Sequence, residues 1–297
     1  MELLFAWIVP LRGRLLGAIF LTCLALGHVA AVPTRQFASG VDLVEVYATV
    51  VDAHGEPVRG LTQDDFVVEE DGARQGISTF ASGEFPLALA VGIDRSFSVS
   101  RSQLDATVSA VRGLLRQLPP SDLVTVLAIG SEVLALSPLT ADRGEALAAL
   151  ARLEPWGTTP LYDATVSALD TIQLARGRRA LILLSDGDDR YSRTTASTLL
   201  EVARSRDVLI YPVAIGRSRP PMLAELATVT GGRSFHVVGG RGLPETLSAI
   251  GRELRAQYLL GYTSSAPTEG RSGWRSIRVT ASRPGVHVRA RDGYRVP

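Results

Sequence analysis

The chain has 297 residues, 46% of them hydrophobic and 21% charged, with a formal net charge of +1. That is length enough for one large domain and one small one, and the balance gives no bulk attraction to nucleic acid or an anionic membrane. It contains no lysine, every basic residue being arginine, so Walker-type phosphate loops, Schiff-base chemistry and lysine-dependent phosphatase sites are excluded.

The N-terminus reads as an export signal over residues 1–31. Arg12 and Arg14 precede an apolar run, Leu15–Leu26, and small residues follow to Val29-Ala30-Ala31. The run is short for a membrane span, so no integral span is expected after cleavage. Cys23, the only cysteine, lies within it, which leaves the mature chain without a disulfide or a thiol nucleophile. Phe20-Leu21-Thr22 before it does not form a lipoprotein cleavage box. Without residues 1–31, basic and acidic residues balance.

Residues 32–84 read as a leader and a small antiparallel β unit. Val41–Val51 is a strand with Val44, Val46, Ala48 and Val50 on one face. A turn at His54–Pro57 follows, and Leu61–Asp65 is a short capped turn. Phe66–Glu70 and Ala73–Phe80 flank Asp71-Gly72, a strong hairpin signal. The unit is too small to bury a core alone.

Residues 85–256 alternate strands with helices. Leu87–Ile93 is an apolar run with no polar face, as expected of a strand buried on both sides of a parallel sheet. Helices are expected at Ser100–Leu118, Asp142–Leu153, Leu161–Leu174, Thr195–Ser205, Pro221–Thr230 and Leu243–Ala256. Strands are expected at Leu123–Ile129, Val133–Leu136, Ala180–Leu184, Val208–Ile215 and Ser234–Val238. The fold class is therefore α/β, a doubly wound, mainly parallel sheet. Residues 257–297 return to strands at Tyr258–Tyr262, Trp274–Thr280 and Val286–Arg291, with turns at Pro284-Gly285 and Asp292-Gly293. These strands are expected to complete the small β unit. His287, Arg289 and Arg291 alternate on one face, read as a solvated face guarding an edge strand.

The chemistry sits at strand ends, where open α/β sheets place ligands. Asp94, Ser96 and Ser98 follow the first buried strand at spacing i, i+2, i+4. In a near-extended loop such side chains point the same way, so a carboxylate and two hydroxyls can converge. Hard oxygen donors of low charge suit Mg²⁺ or Mn²⁺ better than zinc. By itself the spacing also fits a polar loop with a helix cap. A second loop, Trp156–Ala164, opens a helix, and a third holds Ser185-Asp186-Gly187-Asp188-Asp189. Asp188 and Asp189 read as rim groups or a solvated turn.

Taken together, the three loops resemble the metal-ion-dependent adhesion site of the von Willebrand factor type A domain. Asp94-Arg95-Ser96-Phe97-Ser98 matches its Asp-x-Ser-x-Ser element. Gly157-Thr158-Thr159-Pro160-Leu161-Tyr162-Asp163-Ala164 is similar to its threonine loop, and Leu183-Leu184-Ser185-Asp186-Gly187 to its aspartate loop. The resemblance covers about Phe85–Ala256. With both flanks, the chain resembles the type A-related proteins exported by some bacteria, notably acidobacteria. It implies a metal site of Asp94, Ser96, Ser98, Thr159 and Asp186; spacing alone also admits Thr158. It further implies a bound Mg²⁺ (or Mn²⁺ or Ca²⁺), and a protein partner offering an Asp or Glu carboxylate to an open position. The implied function is a metal-dependent, adhesion-type binding module that is periplasmic, cell-surface or secreted. A subunit of the cell envelope with a purely structural metal is the alternative, and a metal-dependent hydrolase the lesser one.

Catalysis is not expected. An aspartate-based phosphatase needs a second acid at the position of Ser96, and a lysine. A serine hydrolase needs a histidine and a Gly-x-Ser-x-Gly elbow, which neither Ser96 nor Ser98 has. His54 and His287 lie in the β unit, and His236 alternates along a strand.

Overall fold

The eight residues of Leu87–Asp94 are all buried, and their neighbours explain the apolar run. The computed structural model describes residues 43–265 and 273–296, so the signal-peptide and leader readings at 1–40 lie outside the described residues. In chain order the elements begin β1 (Leu43–Val51), a 3-10 turn at Gln63–Asp65, β2 (Phe66–Glu70), β3 (Ala73–Gln75), β4 (Ile77–Ser82) and β5 (Leu87–Asp94). Next come α1 (Arg101–Gln117), β6 (Leu123–Ile129), β7 (Val133–Ala135), α2 (Arg143–Leu150), α3 (Leu161–Ile172), β8 (Arg178–Ser185) and α4 (Ala196–Ser205). The chain continues through β9 (Leu209–Ile215), α5 (Pro221–Thr230), β10 (Phe235–Val237) and α6 (Leu243–Leu254). It closes with β11 (Tyr258–Thr263), β12 (Gly273–Ala281), β13 (His287–Arg289) and β14 (Gly293–Val296).

A six-stranded sheet of order β10-β9-β8-β5-β6-β7 forms the centre, parallel except for β7. β5 lies between β8 and β6. Leu87, Leu89, Val91 and Ile93 face one core with α1, α2 and α6, while Ala88 and Ala90 face another with α3, α4 and α5. The sheet is thus doubly wound, as the alternation of elements predicts. α1 starts at a capping box in which Ser100 Oγ accepts from Gln103 N, fixing where the loop after β5 ends.

The flanks form two four-stranded antiparallel sheets, β13-β1-β11-β4 and β14-β12-β2-β3, each drawing strands from both ends of the chain. Val46, Ala48, Val50, Tyr258 and Leu260 from the first pack with Phe66, Val68, Ile277 and Val279 from the second. Three details differ from the sequence reading. The hairpin at Asp71-Gly72 forms, but its second arm breaks at Gly76: β3 stays with β2, and β4 crosses to pair with β11. Cross-strand packing decides this, Phe80 stacking on Tyr258 at 6.1 Å. Gly293 is not a turn residue but the start of β14, where a Cβ would lie 2.2 Å from the Arg275 carbonyl oxygen.

The third concerns the arginine face of β13, which is not solvated. Arg289 gives one N–H to Gly232 O and another to Glu253 Oε2 at 2.6 Å, and Arg233 holds the other Glu253 oxygen at 2.9 Å. Arg291 pairs with Asp207 at 3.1 Å. Glu253, at the end of α6, is 1% exposed. Close by, buried Arg178 at the start of β8 donates to the carbonyls of Leu254 and Phe85 and to Gln257 Oε1. Buried Asp122, before β6, accepts from Leu87 N and from Arg255. Arg178, Leu87 and Asp122 lie where parallel strands begin, so these polar anchors hold the sandwich near that end of the sheet and leave the other end open.

Candidate metal centre

The open end is where β5, β8 and β9 finish, and Asp94 closes β5. Its carboxylate is 3% exposed. Oδ1 accepts from Ser96 N at 2.9 Å, and Oδ2 from Ser185 Oγ at 2.7 Å. Ser96 is 1% exposed, and its Oγ lies 2.9 Å from Ser98 Oγ on the surface. The i, i+2, i+4 spacing therefore does bring three oxygen-bearing side chains into one chain of contacts, from a buried acid to an exposed hydroxyl.

Two further loops close on this one through backbone hydrogen bonds. Phe97 N donates to Gly157 O, Trp156 N to Arg95 O, and Arg95 N to Ile129 O. Gly157 has φ +84°, and a Cβ there would sit 2.6 Å from both Ser131 N and Oγ, so only glycine fits this crossing. The two threonines are separated. Thr158 is exposed and turned to Ser131, its N donating to Ser131 Oγ at 3.0 Å. Thr159 is 3% exposed, and its carbonyl takes the Arg190 N–H at 2.8 Å. That bond ties the threonine loop to the aspartate loop.

Asp186 follows β8, half-buried, and lies close enough to act on Asp94. Burial pushes the Asp94 carboxyl above the usual carboxylate range; hydrogen bonds from Ser185 and Ser96 oppose this, and the charge of Asp186 adds to it. No arginine pairs with either acid among the described residues. Gly187, at φ +83°, packs its bare α-carbon against Pro220, where a Cβ would meet the ring at 2.5 Å, and so docks the loop after β9 beside Asp186.

Three residues in the site's frame carry roles that their types alone do not announce. Ser185 bridges the loops, donating to Asp94 and accepting from Gly187 N at 3.0 Å. A hydroxyl as the last residue of a buried strand, directly before Asp186, is the only signal of this in the sequence. Asp189 is not a solvated turn: its Oδ1 accepts from Tyr162 N at 3.1 Å at the start of α3, and from Ser192 Oγ at 2.5 Å. Asp163 answers from α3, accepting from the Arg193 and Thr194 amides at 2.9 Å. Asp188 is exposed and pairs loosely with Arg190 at 3.6 Å.

The donor set is two carboxylates and hydroxyls, without nitrogen or sulfur. No three His, Cys, Asp or Glu side chains converge as a metal cluster among the described residues. A buried carboxylate lacking a cationic partner, beside a second acid and clustered hydroxyls, fits a hard divalent cation and fits zinc poorly.

Residues 89–188 match the von Willebrand factor type A domain family. The central domain is a von Willebrand factor type A domain. The chain is also similar in structure to a von Willebrand factor type A protein from Catenulispora acidiphila, at 15% identity and TM-score 0.53, over 86% of this chain and 72% of that one. Proximal thread matrix protein 1 of the mussel byssus shares 15% identity at TM-score 0.50, over 59% of this chain and 50% of that one, so the match spans half of the byssus protein. An aerotolerance-related membrane protein from Bacteroides fragilis aligns at 16% identity and TM-score 0.49, over 57% of this chain and 98% of that one. At these identities the likeness is one of fold. No curated protein matches in sequence. Type A domains are in general protein-interaction modules. No described helix is long and apolar enough to cross a membrane.

Proposed function

We propose that the type A domain binds a protein partner through one divalent cation held by Asp94, Ser96, Ser98, Thr159 and Asp186. Mg²⁺ is the first choice of ion, with Mn²⁺ and Ca²⁺ behind it. One observation carries the reading: Asp94 is buried with no cationic partner among the described residues, while Ser96, Ser98 and Asp186 surround it with further oxygen donors. Such a group is expensive to keep unless something of opposite charge completes it. Thr159 is preferred to Thr158 because Thr158 is already engaged by Ser131. Bound there, the cation supplies an electrophilic face for an Asp or Glu carboxylate of the partner. The chain's own part is to hold the acids in place: Ser185 and the Ser96 amide fix Asp94, and the Arg190–Thr159 bond holds two loops together.

Binding without turnover is part of the proposal. His236, the described histidine that lies on the parallel sheet, is engaged with the Gly216 carbonyl at 3.0 Å. We also read the protein as exported, on the strength of the basic and apolar N-terminal pattern. Calorimetry tests the metal site: Mg²⁺ binds the wild type, and Asp94→Ala and Asp186→Ala each abolish binding. Unaltered Mg²⁺ binding in Asp94→Ala refutes the site. Metal-dependent hydrolysis of phosphatase or esterase substrates, lost in Asp94→Ala, refutes the non-catalytic reading. Membrane fractionation of the native host tests export.

A further inference from the structure

The rim of the site is unusually aromatic for a chain with so few aromatics. Four large aromatic side chains are exposed among the described residues, and three of them stand on the site loops. Phe97, between the two serines, is 74% exposed; Trp156, before the threonine loop, is 42% exposed; Tyr191, on the aspartate loop, is 80% exposed. The backbone bonds from Phe97 N to Gly157 O and from Arg190 N to Thr159 O bring these three loops together, so the loops that carry the exposed rings meet at one end of the sheet. The Arg95 guanidinium lies over the Trp156 ring at 5.1 Å, and Tyr191 occupies the left-handed region at φ +72°, a conformation that a bulky side chain rarely adopts.

Exposed arginines outside any ion pair gather on one flank of the rim, next to the Asp188–Arg190 pair. Arg193 on the aspartate loop, and Arg217 and Arg219 on the loop that Gly187 docks beside Asp186, are exposed and make no ion pair among the described residues. Glu132 and Glu154 stand on the opposite flank, beyond β5 on the β6 side. Exposed Trp, Tyr and Arg side chains on fixed loops are the residue types that dominate interface energetics.

We infer that the partner is a protein segment in which the metal-seeking Asp or Glu stands next to a bulky apolar residue, the apolar side chain seating on Phe97 and Trp156, with further acidic residues lying toward Arg193, Arg217 and Arg219. This rests on the metal-bridged reading above and adds the partner's chemistry to it. The metal selects a carboxylate of any protein; the aromatic rim and the one-sided cations select which.

The test pans a library of octapeptides, with one fixed central aspartate and randomised flanks, against the full chain in millimolar Mg²⁺. The inference expects recovered peptides to carry Leu, Ile, Met, Phe or Trp beside the aspartate and extra Asp or Glu on one side only. It expects Phe97→Ser to weaken them about tenfold, the loss of one well-buried apolar contact, while calorimetric Mg²⁺ binding stays unchanged. Trp156→Ser gives a second, independent reading should one variant disturb its loop. Mg²⁺-dependent binding with no apolar preference, unchanged by either variant, overturns the inference and leaves the proposed function standing. Binding that survives both EDTA and Asp94→Ala overturns the two together, as does Mg²⁺ binding with no peptide recovered. Mg²⁺-dependent self-association in sedimentation that Phe97→Ser removes assigns the rim to a second copy and overturns the inference.

Discussion

Glu253→Gln is the sharpest test of how the type A domain and the sandwich are joined. The carboxylate is 1% exposed, with Arg289 on one oxygen at 2.6 Å and Arg233 on the other at 2.9 Å. Glutamine keeps the shape but offers one acceptor, so one guanidinium is left facing an amide N–H₂. Breaking a buried pair costs about 3–5 kcal/mol when the abandoned charge is fully enclosed. Here Arg289 and Arg233 keep 23% and 38% of their side-chain exposure, so water recovers part of that, and about 2–3 kcal/mol is the better expectation. For a unit of this size each kcal/mol moves Tm by roughly 2–4 °C, giving a fall of roughly 4–12 °C in calorimetry. A double-mutant cycle with Arg289→Gln should return a coupling above about 0.5 kcal/mol, since the two groups share one contact. Magnesium affinity should not change, because Glu253 sits at the far end of the sheet from Asp94. A fall in Tm under about 1 °C, or a coupling indistinguishable from zero, would show that the junction is held by apolar packing alone.

Other outcomes follow from the same geometry. Ser185→Ala removes the hydroxyl donated to Asp94 and should weaken Mg²⁺ binding about five- to tenfold in calorimetry with little change in Tm. Gly157→Ala puts a Cβ against Ser131 in left-handed backbone and should lower Tm by several degrees, read by circular dichroism. Without added metal, Asp94→Asn should melt no lower than the wild type, because it removes a buried charge; with saturating Mg²⁺ the order should reverse. In the sandwich, burial, with the Glu70 carboxylate assisting, pushes Tyr294 up to about 12, and Tyr262 is raised in the same way. The folded state therefore holds protons that the unfolded chain releases from about pH 10, so stability is full below that value and declines as pH rises toward 12. Ultraviolet titration should show these two rings ionising only above the range of a free phenol.

The central sheet was legible because its signals are local. An apolar run of strand length ending in Asp94-x-Ser96-x-Ser98, and the helix expected from Ser100 onward, each announce themselves within a few residues. What stayed hidden depends on partners far along the chain. Nothing near Gly76 says that β4 leaves its hairpin for β11, because the deciding ring, Tyr258, lies far downstream. Arg289 and Arg291 alternate as an outward face should, yet Glu253 and Asp207 turn that face inward. Asp189 looked like a solvated turn because its role depends on the Tyr162 amide at the start of another helix. Ser185 was visible but mute, since a strand-end serine acquires meaning only once Asp94 is known to lie across from it.

One conflict between local rules and the finished structure remains, and it falls at Asp94. Buried charges in a stable core are paired, and this chain follows that rule at Glu253, Glu70 and Asp122, each of which meets an arginine. At Asp94 it does the opposite: the neighbours are hydroxyls, an amide and a second acid, and burial raises the carboxyl's pKa. Arginine was available, being the chain's only strong cation and abundant, and Arg95 stands next in sequence; its guanidinium instead turns to the Trp156 ring and the Glu154 carbonyl. Among the described residues the other buried acids are paired and this one is left open, at the end of the sheet away from the sandwich anchors, so stability is sacrificed there. That asymmetry, more than the motif, argues that the positive charge completing the site is meant to come from outside the chain.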